Sequence, residues 1–238
     1  MRLILACIVL IGVWHAVAAS QMLPAFVLPG PPAVVQVLAR DHQLLATHAM
    51  TTAQEVIAGL ALGLGFGAAT ALAMMLCAPL RWLVQPILTV SQAVPVFVLA
   101  PVLTIWFGYG PAPKIAMVVL LVFFPVASGL YDGLRATPQP VLDLARIAKA
   151  SSWRELWLLR LPHALPYLGA SLRVSVTYAP MGAVIGEWVG ASKGLGYLML
   201  LANARMKTDL MFAALVVIVA MTLTLVTVTD RLLRRVQM

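Results

Sequence analysis

Six apolar stretches, at about residues 3–22, 52–77, 84–107, 114–131, 167–190 and 211–230, constrain this chain more than anything else in it. Each approaches the ~20 residues that an α-helix needs to cross the hydrocarbon core of a bilayer. Only 10% of the 238 residues are charged and 62% are hydrophobic, whereas about a quarter of a soluble domain is charged. One soluble core cannot absorb that much apolar surface. The expected fold is all-α: a polytopic membrane protein of about six transmembrane helices, built as a single domain over residues 1–238. No Gly/Ser linker or charge block divides it.

A net charge of +8 would suggest nucleic acid in a soluble protein. Here it follows the loops, and no nucleic-acid partner is expected. With the N-terminus inside, Arg2, Arg81, Arg135, Arg146, Lys149, Arg154, Arg160, Arg173, Arg231, Arg234 and Arg235 face inward, 11 of the 16 basic residues. Arg40, Lys114, Lys193, Arg205 and Lys207 fall outside. This bias fits the positive-inside rule and places both termini in the cytoplasm. Arg2, the apolar run after it and Ala16-Val17-Ala18 fit a cleaved signal peptide as well as a retained first span, and either puts residue 23 outside. Cys7 and Cys77 sit apart and support no disulfide.

The spans are not uniform. Between the first two, prolines and Gly30 break the chain, and residues 33–49 read as an amphipathic helix with Val34, Val37, Leu38 and Leu45 on its apolar side. His42 and His48 have no partner at ligand spacing and read as surface residues. Gly59, Gly63 and Gly67 are four apart, so they line one helix face and allow a second helix to approach closely. Glu55 lies near the end of that span, where a carboxylate can reach water. After a short inner loop marked by Arg81, the third span is interrupted by Ser91-Gln92, Pro95 and Pro101. Irregular backbone at membrane depth is tolerated where it is buried in protein or lines a wet cavity, so this span is a candidate pathway helix. Gln92, Tyr178 and Glu187 are the polar groups expected to face a substrate route. An intramembrane carboxylate such as Glu187 is a functional candidate by default. Gly194-Leu195-Gly196 opens a helix too short to span.

The longest charged interval between spans is Asp143 to Pro162, within a loop of about residues 132–166. Pro138 and Pro140 suit a turn and a first helical turn. Val141, Leu144, Ala145 and Ala148 then recur at helical spacing. Ser152 and Glu155 have capping-box spacing, which predicts a second helix from Ser152 that Pro162 ends. A helix–turn–helix with one fatty face would lie on a membrane surface and offer its other face to a partner.

That interval resembles the cytoplasmic coupling loop of permease subunits of binding-protein-dependent ABC importers, whose pattern is Glu-Ala-Ala, three residues, Gly, nine residues, Ile-x-Leu-Pro. Asp143-Leu144-Ala145 stands for the first element and Leu159-Arg160-Leu161-Pro162 for the last, with Lys149 where the glycine falls. Lysine resists the left-handed turn that glycine tolerates, so the turn is expected to shift toward Ala150-Ser151. The resemblance implies a type I importer permease fold, a permease homodimer in membrane lipid, two ATPase subunits, and a periplasmic or lipid-anchored substrate-binding protein. It implies docking of the ATPases through Asp143, Leu144, Ala145, Lys149, Leu161 and Pro162, with Ala145→Asp uncoupling transport without unfolding the protein. It implies a retained first span and an inner-membrane location. Within the family, Gly186-Glu187-Trp188-Val189-Gly190, Gly194-Leu195-Gly196-Tyr197 and Thr208-Asp209-Leu210-Met211-Phe212 are similar to the branch serving nitrate, sulfonates, taurine and pyrimidine precursors, and within it to hydroxymethylpyrimidine permeases. The absence of a buried Arg or Lys at mid-membrane favours a neutral pyrimidine over an anion.

The sequence carries no Gly-x-x-x-x-Gly-Lys-Ser/Thr loop for ATP, no His-Glu-x-x-His and no Ser/His or Cys/His pairing. No catalytic residue, metal or cofactor is expected, and ATP hydrolysis is assigned to a partner. A secondary transporter without an ATPase is the alternative.

Overall fold

The computed structural model describes residues 2–236. The side chains of Arg2 and Cys7, read above as an inner charge and a lone thiol, lie outside the described residues. Among the described residues, eleven α-helices make up the fold: α1 (Arg2–Ala19), α2 (Pro31–Arg40), α3 (His42–Leu76), α4 (Ala78–Ser91), α5 (Leu99–Phe107), α6 (Pro111–Arg135), α7 (Gln139–Ile147), α8 (Ser152–Glu155), α9 (Leu161–Glu187), α10 (Leu195–Ala204) and α11 (Thr208–Val236). A 3₁₀ turn at Val96–Val98 precedes α5, and a π turn at Leu156–Arg160 joins α8 to α9. Among the described residues, three helices, α3, α6 and α11, are long and apolar enough to cross a membrane, or four spans if the bent pair α4–α5 counts as one. The 18-residue α1 and the 27-residue α9 occupy the other two expected stretches.

The molecule is organised around α6, which is packed between α3 and α9. Small residues make this possible. On α3, Gly59, Gly63 and Gly67 lie against Val118, Val122 and Val126 of α6, residue for residue at four-residue steps. A Cβ at Gly63 would stand 2.7 Å from Val122 Cβ, and one at Gly67 would stand 2.8 Å from Val126 Cβ. The i±4 ridge of valines thus fills a groove that exists only because the facing ridge lacks side chains. On its other side, α6 presents Gly133 to Ala164 and Tyr167 of α9, while Gly182 and Gly186 of α9 admit α6 at Val118 and Lys114.

The third span breaks where the sequence is irregular. α4 ends at Ser91, Gln92 to Pro95 is not regular helix, and the two halves differ in direction by 91°. Pro95 caps the 3₁₀ turn, so its missing N–H costs nothing there. Pro101 does not interrupt. It lies in the first turn of α5, where backbone N–H groups have no intrahelical acceptor in any case.

Several boundaries differ from the sequence reading. The helix expected over 33–49 divides at Asp41, and its second half is the start of the 35-residue α3. Arg81 lies inside α4, not in a loop, because only Cys77 separates α3 from α4. Pro162 does not end a helix. The π turn before it widens the backbone, with Leu161 N–H reaching Leu156 O, so the proline ring meets no carbonyl one α-turn back and α9 continues. The cap of α8 is Ser151 and not Ser152: its hydroxyl accepts from Arg154 N–H at 3.4 Å, and Glu155 turns instead to Arg160.

Candidate functional site

Two of the three candidate pathway residues come together. Gln92, at the break after α4, and Tyr178, on α9, line one cavity of about 370 Å³ with Ser91, Phe123, Phe124 and Pro125. Its walls are largely aromatic and aliphatic, with a few polar groups at the helix break, the usual make-up of a small-molecule site. Glu187 is not part of this lining.

Glu187 is instead 1% exposed and anchors the start of α10. Its Oε1 accepts from the Thr52 hydroxyl at 2.6 Å and its Oε2 from Gly196 N–H at 2.5 Å. Thr52 Oγ1 in turn accepts from Leu195 N–H at 2.8 Å, and His48 Nδ1 accepts from Gly194 N–H at 3.0 Å. A helix begins with N–H groups that lack intrahelical partners. Here α3 and α9 satisfy three in succession, and the carboxylate meets the positive end of the helix dipole. The Gly-Leu-Gly sequence follows from this contact. Gly194 has φ +113°, and a Cβ there would collide with the Glu187 carboxylate. A Cβ at Gly196 would stand 2.8 Å from Val184 O.

Three sequence assignments change at this end of the bundle. His48 is half-buried in the network and stacked on Tyr197 at 6.0 Å, not a free surface residue. Glu55 lies against Glu187 and is 6% exposed, so it does not stand in water. Lys114, counted among the loop cations, is 3% exposed and donates to Gly110 O at 2.6 Å. No alternation or spacing marks Thr52 or His48, because their partners lie 135 to 146 residues away.

The charged loop projects from the opposite end of α6. Arg160 donates to Leu134 O at 3.0 Å, closing an orphan carbonyl of α6's last turn, and pairs with Glu155 at 2.6 Å. On α7, Leu142 and Ala145 turn inward, at 5% and 7% exposure, while Leu144 and Ile147 stand out at 67% and 80%. Asp143 is exposed and paired with Arg146 at 2.9 Å. Lys149 and Pro162 are exposed, and Leu161 packs partly against the core.

The family of binding-protein-dependent transport system inner membrane components matches residues 61–237. The chain belongs to that family. It is 49% identical over 227 residues to a probable ABC transporter permease protein of Haemophilus influenzae, covering 95% of this chain and 93% of that one. It is 35% identical over 191 residues to the formylaminopyrimidine transport permease protein of Halalkalibacterium halodurans, covering 80% and 76%. A taurine permease of Escherichia coli is similar at 30%. Among solved structures, the inward-facing MetNI methionine ABC transporter shares the fold with a TM-score of 0.72 at 19% identity, over 83% of this chain and 98% of that one.

In this permease the turn after α7 stays at Lys149 and does not shift to Ala150-Ser151. Lys149 has φ +49°. Ala150 N–H bonds Ala145 O at 2.9 Å and Lys149 N–H bonds Arg146 O at 3.0 Å, the two bonds of a Schellman motif. These bonds hold a lysine in the left-handed region, at a cost of about 1 kcal/mol relative to glycine. Lys149→Gly is therefore expected to raise the permease's stability by about 0.5–1 kcal/mol, read as a higher melting temperature in detergent. An unchanged or lower value would mean that the lysine gains as much from its surroundings as the backbone loses.

Proposed function

We propose that this permease forms the substrate pathway of an ATP-driven importer in the inner membrane, crossing six times with both termini in the cytoplasm. In this reading two copies pair within the lipid, a periplasmic or lipid-anchored binding protein delivers cargo, and two ATPase subunits dock on the loop of residues 132–166. The observation that carries it is the exposed pair Leu144 and Ile147 on α7, a helix whose Leu142 and Ala145 turn inward. Apolar side chains fixed on a charged, protruding loop suit a partner protein. Asp143, Lys149 and Pro162 are exposed on the same loop, while Ala145 is buried and Leu161 packs partly against the core.

The cargo proposed is a hydroxymethylpyrimidine-type precursor of thiamin. A neutral aminopyrimidine suits the cavity that holds Gln92 and Tyr178, with aromatic walls and a side-chain amide. The 35% identity to a formylaminopyrimidine permease supports it. One observation favours a second reading, a sulfonate such as taurine: Lys114 supplies a buried cation after all, though not at mid-membrane. The test is uptake into proteoliposomes holding the permease, its ATPase and its binding protein, with labelled 4-amino-5-hydroxymethyl-2-methylpyrimidine and labelled taurine. ATP-dependent uptake of the pyrimidine is expected, and Gln92→Leu should lower it roughly tenfold, the worth of one hydrogen bond in a dry site. Uptake of taurine alone would select the second reading, and uptake without ATP would select a secondary transporter.

A further inference from the structure

A second cavity, of about 410 Å³, lies where the start of α6 meets α3 and the turn after α9. Glu55, Lys114, Gln54, Tyr109, Ser192 and Lys193 are among its lining. It does not include Gln92 or Tyr178. Two of its groups, Glu55 and Lys114, are buried and ionisable. Glu55 lies against the Glu187 carboxylate, and its Oε2 takes no hydrogen bond from any neighbouring N–H or hydroxyl group, although Glu55 is only 6% exposed. Leaving a buried carboxylate oxygen unpartnered is costly, and each such group calls for a reason. Lys114 is 3% exposed and spends one of its three N–H donors on Gly110 O, leaving two. A packed core would have joined or removed these groups.

We propose that this cavity is a binding site for a small molecule that presents an N–H donor to Glu55 and a neighbouring acceptor to Lys114. The Glu55 carboxyl takes the donor, the free ammonium N–H groups take the acceptor, and the side chains of Gln54 and Ser192 complete a polar lining. A cavity of this size suits a single ring or a short zwitterion. Two sources share that chemistry. An aminopyrimidine carries an amino N–H beside a ring nitrogen, and taurine carries an ammonium and a sulfonate. The assignment does not depend on which is the cargo, or on the loop's role in coupling.

Equilibrium binding to the purified full-length permease in nanodiscs, without ATPase or binding protein, tests it. The probes are 4-amino-5-hydroxymethyl-2-methylpyrimidine and taurine, titrated separately. Saturable binding of at least one is expected, and the two arms identify the source. Glu55→Met and Lys114→Met should each weaken it at least tenfold, the loss of one hydrogen bond to a charged group. Glu55→Met should leave the melting temperature unchanged or higher, since it removes an unsatisfied oxygen. If either variant fails to purify as a dispersed protein, Tyr109→Ala at the exposed rim decides, with weaker binding expected. No saturable binding of either probe would overturn the proposal and leave the cavity to solvent. So would affinity unchanged in the variants. Failed uptake with intact binding would overturn the importer reading and not this one.

Discussion

A Gly194→Ala variant of this permease is expected to lose about 3–5 kcal/mol of stability, and transport with it. Two costs combine. The backbone at Gly194 has φ +113°, where an L side chain is strained, by about 1–3 kcal/mol. The new methyl group also lands on the Glu187 carboxylate. That carboxylate has nowhere to go without releasing the Thr52 hydroxyl and Gly196 N–H, and each buried donor left alone costs about 1–3 kcal/mol. For a chain of this size the melting temperature should fall by roughly 10 °C. Gly65→Ala is the matched control, because a Cβ there meets nothing within 4 Å. It should be neutral or stabilise by up to about 1 kcal/mol, as expected for alanine in a helix interior. Equal melting temperatures for the two variants would show that the α10 anchor contributes nothing.

The anchor also marks how far the sequence could be read. Gly194-Leu195-Gly196 announces a helix start, and Glu187 announces a group that needs a partner. Neither says that they meet, and Thr52, 135 residues from Glu187, is indistinguishable from any helical threonine. Periodicity reports which face of one helix is buried. It cannot report what that face meets, since pairing depends on the register of separate helices. The glycines of α3 were legible because Gly59, Gly63 and Gly67 carry their own spacing. Val118, Val122 and Val126 share that spacing, yet valine is ordinary in an apolar span, and only the structure joins the two rows. Lys149 is the reverse case. Residue type argued against a left-handed turn there, and two local backbone bonds outweigh a preference of about 1 kcal/mol.

The charged loop gives the second large effect, because burial separates Ile147 from Ala145 on one short helix. Ile147→Asp changes a side chain that is 80% exposed, so the permease alone should keep its melting temperature, to within about 0.5 kcal/mol. If α7 is the ATPase-docking surface, the same change places a charge in the apolar centre of an interface. Losses at such positions are about 2–4 kcal/mol, or roughly 30- to 1000-fold in affinity. Co-purification of the ATPase and ATP-driven uptake should both collapse while expression and melting stay normal. Ala145→Asp should behave differently. Ala145 is 7% exposed and faces the body of the protein with Leu142, so the new carboxylate is buried without a partner, at a cost of several kcal/mol. Melting temperature and uptake should fall together, and not uptake alone. Full uptake by Ile147→Asp at normal expression would remove α7's exposed face from the coupling path, whatever Ala145→Asp does.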